Sequence, residues 1–95
     1  MSKSKVAHIN HQGVNLIIVP LDDSFEWKTP SEKDEIIGGL QFCASSAGLA
    51  GTVVPVWRTP SNKMAFIAPP NWHPFFKSID LQFVYANINK ELTCG

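Results

Sequence analysis

The segment from residue 29 to residue 57 constrains the fold more than any other part of the sequence, because it encodes a helix start, a helix, a helix stop and a strand in direct succession. Thr29 and Glu32 have the spacing of a capping box. Gly48 predicts the left-handed stop, and the β-branched run at 52–57 predicts a strand. Between the cap and the stop, apolar residues at steps of three and four predict one buried helix face: Ile36, Leu40, Cys43, Ala44 and Ala47.

The remaining segments also alternate between strand and helix patterns. Residues 14–19 form an apolar run typical of a central strand covered on both faces. Residues 6–10 predict a leading strand, joined to it by a three-residue hairpin loop at 11–13. Later segments predict a strand, a short helix and a last strand at 63–68, 71–79 and 81–88. The order β-α-β-β-α-β, with an optional extra N-terminal strand, predicts a ferredoxin-like α+β two-layer sandwich.

Length and the first residues predict the domain organisation and the location. The 95 residues predict a single domain, 1–95, with residues 1–5 as a disordered tail. No apolar run approaches the length of a membrane span, and the start lacks the apolar core of a secretion signal. We therefore expect a cytoplasmic protein with no membrane partner. Cys43 and Cys94 are too few for a disulfide framework, so we expect reduced thiols, with a bridge between them or a reactive Cys94 as the alternatives.

The charge balance gives no reason to expect a nucleic-acid partner. Eight basic residues match eight acidic residues, whereas nucleic-acid-binding domains usually carry a basic surface. Residues 62–67 superficially resemble the third-strand signature of RNA-recognition motifs. Met64 stands where that family needs a stacking aromatic, and the signature glycine is absent. We therefore expect no nucleic-acid partner.

The predicted sheet is apolar on both faces, although a ferredoxin-like sheet has one face without helices. On one predicted strand, Val54 and Val56 are on the face opposite to that of Val53. On the last predicted strand, Val84 is on the face opposite to that of Phe83. A second copy of the sheet would cover that face, which predicts a homodimer. The alternative covers are the leading strand or the loop at 25–27.

The outer side of the first helix provides a second predicted interface. Phe42 lies opposite Leu40, and Gly38 lies beside it. An aromatic ring next to small residues can dock a neighbouring molecule, and a singly exposed aromatic residue is the alternative interpretation.

Few residues point to metal or acid–base chemistry. Asp22 and Asp23, with Glu26 nearby, could ligate a cation or act as an acid–base pair, but adjacent acids are also ordinary turn residues. His8 and His11 are predicted to face opposite sides of a strand, which is wrong for chelation. We therefore predict no metal site and no cofactor.

The aromatic residues provide the remaining candidate site. Trp57 and Trp72 lie at the ends of predicted elements, where they could line a pocket with Arg58 and His73 as its polar groups. These four residues are the predicted ligand-binding residues, for a small apolar ligand. His73 is also the candidate catalytic base. Burial in the core is the alternative role for the tryptophans.

Together these features predict a small binding or protein-interaction module rather than an enzyme. The chain resembles dimeric ferredoxin-like enzymes, including cofactor-independent oxygenases and small isomerases, in its length, element order and predicted sheet-to-sheet dimer. None of their motifs aligns residue by residue with this sequence. The resemblance implies an alternative function, a small dimeric enzyme acting on an apolar molecule, without assigning catalytic residues.

Overall fold

The computed structural model describes residues 2–94, with side chains for residues 3–93. Its elements are β1 (Ser2–His11), β2 (Val14–Pro20), α1 (Pro30–Ser46), β3 (Thr52–Arg58), β4 (Met64–Phe66), α2 (His73–Lys77), α3 (Leu81–Ala86) and β5 (Lys90–Cys94), with 3-10 turns at Asp23–Trp27 and Pro70–Trp72. The five strands form one open sheet in the order β4-β3-β2-β1-β5. Only β2 and β3 run parallel among the described neighbouring pairs. The fold is α+β, and none of the described helices is long and apolar enough to cross a membrane.

The amino-terminal hairpin is tighter and longer than predicted. His11 pairs with Val14, and the loop between them contains only Gln12 and Gly13, both at positive φ. This is the backbone of a two-residue type I′ turn, so the predicted three-residue loop is one residue too long. The other half of β1, Ser2–Val6, pairs with β5. Residues 2–5, expected as a disordered tail, therefore lie in the sheet, and Met1 is outside the described residues.

The predicted helix start and stop of α1 are both confirmed. The Thr29 hydroxyl accepts a hydrogen bond from the Glu32 amide at 3.2 Å, and the Glu32 carboxylate accepts one from the Thr29 amide at 3.0 Å. The second bond lowers the pKa of Glu32, because it favours the charged carboxylate. At the other end Gly48 has φ +77°, and the amide of Leu49 donates to the carbonyl of Ala44. These are the features of a Schellman stop.

Two contacts fix the joint between α1 and β3. The Gln41 side chain donates to the Gly51 carbonyl at 3.1 Å and accepts from the Val53 amide at 2.9 Å. Gly51 has φ +132°, and a Cβ there would lie 2.7 Å from the Asn15 carbonyl oxygen. Only glycine fits this close approach without a backbone shift. These contacts therefore hold the start of β3 against α1 and β2.

The sheet is covered on both faces by its own chain. One core lies under α1 and contains Val6, Ile17, Val19, Leu40, Ala44, Val53 and Leu92. The other lies under α2 and α3 and contains Ala7, Leu16, Ile18, Val54, Val56, Phe76 and Val84. Successive residues of a strand point to opposite faces, so each central strand contributes to both cores.

The predicted ferredoxin-like topology is not confirmed. Helices pack on both faces of the sheet, so the predicted two-layer arrangement with both helices on one face is not observed. The start of the predicted last strand, residues 81–86, is helix α3, and the last strand is Lys90–Cys94. The Asp80 carboxylate caps α3 by accepting from the Phe83 amide at 2.9 Å. The loop at 25–27, which was an alternative cover for the second face of the sheet, lies on the α1 side, where Phe25 contacts Trp57.

The prediction of a reduced thiol at Cys43 is wrong. Cys43 is disulfide-bonded, and no described cysteine is free. The prediction for Cys94 concerns a side chain outside the described residues.

The capping box can be tested by deleting its hydroxyl. We expect Thr29→Ala to lower the free energy of unfolding by about 1 kcal/mol, because the Glu32 amide loses its acceptor. Ser31→Ala is the matched control in the same exposed turn and should change it by less than about 0.5 kcal/mol. Urea unfolding followed by circular dichroism measures both. Equal effects of the two substitutions would contradict a stabilising role for the box.

Candidate functional site

The four predicted ligand-binding residues do not line one site. Trp57 and Arg58 are neighbours on β3, so their side chains point to opposite faces of the sheet. Trp57 lies on the α1 side, whereas Arg58 lies on the side of α2 and α3. Trp72 and His73 adjoin at the start of α2 but contact different partners.

Trp57 is a core residue. It is 4% exposed, and its ring centroid lies 4.8 Å from that of Phe25. The Lys33 ammonium lies 5.2 Å from the Trp57 ring centroid and 5.7 Å from the Phe25 ring centroid, within the range of a cation–π contact. The indole nitrogen has no hydrogen-bond partner among the described residues. These contacts join the 3-10 turn, α1 and β3. Trp57 therefore has the alternative role considered for the tryptophans, burial in the core.

His73 holds the segment between β4 and α2. Its Nε2 lies 2.9 Å from the Ala68 carbonyl oxygen, and its ring meets Phe66 edge-on at 5.4 Å. A carbonyl oxygen only accepts, so Nε2 donates and carries the proton in this contact. This bond uses Nε2 to position the chain, and in this tautomer Nδ1 keeps the lone pair that a base needs. The geometry gives His73 a positioning contact, and its catalytic role stays a prediction.

A cleft of about 620 Å³ lies between the β3–β4 turn and the α2–α3 connection, and we call it the Arg58 cleft. Its floor is apolar and continues the core under α2 and α3. The Phe66 and Phe76 rings lie 5.3 Å apart at its base. The floor consists of Met64, Phe66, Phe76, Ile79 and Leu81.

The rim of the Arg58 cleft is polar and carries more positive than negative charge. Its residues are the cations Arg58, Lys63 and Lys77, the carboxylate Asp80 and the amides Asn62 and Gln82. Arg58 Nε lies 3.6 Å from the carboxylate of Asp23, and both side chains are more than half exposed. An exposed ion pair of this kind contributes little to stability. Asp80 already accepts a hydrogen bond as the cap of α3.

A tied turn positions one side of this rim. The Thr59 amide donates to the Lys63 carbonyl at 2.8 Å, and the Lys63 amide reaches the Thr59 hydroxyl at 3.3 Å. Asn62 has φ +62°, a left-handed conformation that asparagine adopts more readily than most residues. The turn therefore presents Asn62 and Lys63 to the cleft from a defined backbone.

A second cleft, of about 450 Å³, lies where the β1–β2 hairpin meets α2. The His11 ring stacks at 4.4 Å on Phe75 and lies 5.8 Å from Trp72. These contacts pack the hairpin against α2. Trp72 thus belongs to this aromatic cluster and not to the Arg58 cleft.

Asp22 and His8, which were considered for metal binding, have structural partners. The Asp22 carboxylate accepts from the Ser24 amide at 2.9 Å, and this bond lowers the pKa of Asp22. His8 Nε2 lies 2.8 Å from the Ala50 carbonyl oxygen, on the face opposite His11. Among the described side chains, no group of three or more histidine, cysteine, aspartate or glutamate residues could hold a metal ion.

The predicted interface residues fall into two groups. Val54, Val56 and Val84 are fully buried under the chain's own helices, so the prediction that they face a partner is wrong. Phe42 is 73% exposed, and a Cβ added at Gly38 would meet no described atom within 4 Å. The outer side of α1 is thus the predicted interface that remains accessible.

Sequence reasoning found Arg58 but missed its companions. Strand pairing could have placed Met64 beside Arg58, whereas Lys63 reaches the cleft from the turn that precedes β4. The positions of Lys77 and Asp80 at the cleft depend on how α2 and α3 pack. The sequence gives one local signal for this, because Asp80 precedes an apolar run in the position of a helix cap.

Comparisons with models of protein families, with curated proteins and with solved structures found no match to this chain. Its function is therefore inferred from the geometry of the Arg58 cleft.

Proposed function

We propose that this chain is a small-molecule-binding module and that the Arg58 cleft is its ligand site. The supporting observation is the convergence of polar groups from separate elements over one apolar floor. Arg58 ends β3, Lys77 ends α2 and Asp80 caps α3. Small-molecule sites combine apolar walls with a few such polar groups. The volume of about 620 Å³ lies in the usual range of roughly 300–1,000 Å³.

The polar groups of the cleft favour binding over catalysis. Cations and amides orient and neutralise a ligand, whereas proton abstraction needs a base. The alternative, a small enzyme acting on an apolar molecule, would need Asp80 as its base because Asp80 is the carboxylate at the rim. Its acceptor role at the α3 cap supports a structural assignment instead.

A ligand screen by ¹H–¹⁵N NMR tests the proposed site. The probes are six-carbon and aromatic carboxylates, amines, amides and alcohols, each titrated into the folded protein. We expect at least one probe to shift the amide signals of Met64, Phe66 and Leu81 saturably, because these residues belong to the floor. The signal of Lys90, on the opposite edge of the sheet, should not move.

Two substitutions on neighbouring positions give the matched comparison. Met64→Gln makes the floor polar and should weaken binding about tenfold, since burial of apolar surface is lost. Ile67→Gln changes an exposed residue outside the cleft lining and should leave binding unchanged. Thermal unfolding checks that both variants fold. A screen in which no probe shifts the floor signals would overturn the proposed site.

Self-association is a second candidate property, favoured by the exposure of Phe42. A two-fold dimer uses the same patch on both copies, and an aromatic ring next to open glycine positions can form such a patch. We therefore propose that the homodimer forms through the outer side of α1 instead of through the sheet.

Light scattering coupled to size exclusion tests this property. We expect a dimer mass for the wild-type chain and a monomer mass for Phe42→Ser, because the patch loses its ring. Tyr85→Ser is the matched control, since Tyr85 is another exposed aromatic residue and lies on α3. A monomeric wild-type chain at micromolar concentration would exclude the dimer.

A further inference from the structure

We infer that the ligand of the Arg58 cleft is an amphipathic carboxylate, with its charged group at Arg58 and Lys63 and its apolar body over Met64 and Phe66. This inference rests on the proposed function, because it names the ligand class of the same cleft.

The charge of the cleft differs from that of the whole chain. The sequence has a formal net charge of zero, whereas three cations and one carboxylate line the cleft. The one carboxylate, Asp80, already accepts a hydrogen bond from the Phe83 amide. A concave site lined mainly by one sign of charge attracts the opposite sign. The cleft therefore favours an anion.

Arg58 gives this preference a geometric basis. The guanidinium group presents its donors in a planar fork that matches the two oxygens of a carboxylate. In the structure its Nε faces the carboxylate of Asp23 at 3.6 Å, which shows that an acidic group can reach this guanidinium. Because both partners are more than half exposed, a ligand carboxylate can replace or join Asp23 at little cost. Lys63, at the end of the β3–β4 turn, also lines the cleft and supplies a second cation.

The floor requires an apolar part in the ligand. Met64 pairs with Arg58 across the β3–β4 hairpin, and Phe66 and Ile79 belong to the same apolar floor. A methionine side chain adapts to the shape of an apolar partner, because it is unbranched and polarisable. A small anion without an apolar body would leave this surface unused. We therefore expect the affinity to depend on both the charge and the apolar chain.

Four simple probes separate these contributions. Hexanoate has both features, hexylammonium reverses the charge, hexan-1-ol removes it, and acetate removes the apolar chain. Titrations followed by ¹H–¹⁵N NMR give each dissociation constant from the signals of the floor residues. We expect hexanoate to bind at least about tenfold more tightly than the other three, since charge-assisted hydrogen bonds and apolar burial each contribute about this factor.

Charge-removing variants test the assignment to named residues. Arg58→Gln and Lys63→Gln should each weaken hexanoate binding about tenfold and leave hexan-1-ol binding unchanged. Lys90→Gln is the control, since it removes one exposed lysine from the opposite edge of the sheet. It should leave both affinities unchanged.

The outcomes distinguish this inference from the function on which it rests. Equal binding of hexanoate, hexylammonium and hexan-1-ol in the cleft would overturn the carboxylate assignment and leave the proposed site intact. A preference for hexanoate that survives both cleft substitutions would also overturn the assignment to Arg58 and Lys63. Failure of every probe, including those of the wider screen, would overturn both the inference and the proposed site.

Discussion

The apolar character of both faces of two adjacent parallel strands is the constraint on which the rest of the structure depends. In β2, Ile17 lies in the core under α1 while Ile18 lies in the core under α2 and α3, and Val53 and Val54 alternate in the same way on β3. Parallel strands need a crossover connection, which α1 provides, and this helix covers one face. The other face must be covered by a different segment, so α2 and α3 are as necessary to the core as α1.

The Arg58 cleft is a consequence of how that second cover is built. β4 has three residues and α2 has five, so a short edge strand and a short helix meet at this end of the sheet. The gap that remains has core residues such as Phe76 at its base. Charged side chains stand around it because strand ends, turns and helix ends are where a chain meets water. Arg58 and Lys77 are such terminal residues.

The sequence predicts α1 well because a capping box and a glycine stop are local chemistry, complete within a few residues. The sequence predicts residues 81–88 poorly because so short a segment fits both a strand pattern and a helix pattern. Its nearly continuous apolar run suits a strand covered on both faces. A helical turn places Val84 inward equally well, and the Asp80 cap favours the helix. For the site, strand alternation alone separates Trp57 from Arg58, but the approach of Lys77 depends on tertiary packing. No local pattern encodes which segment covers the second face.

The most direct test of the account is to ask whether one chain covers both faces of its sheet. Methyl nuclear Overhauser spectra of a uniformly labelled sample should show contacts between the Val84 methyl groups and those of Ile18 or Val54, members of the same core. A filtered experiment on mixed labelled and unlabelled chains selects contacts between molecules, and these Val84 contacts should be missing from it. Their appearance in the filtered spectrum would show that another copy covers this face. It would contradict both the core formed by α2 and α3 of the same chain and the Arg58 cleft.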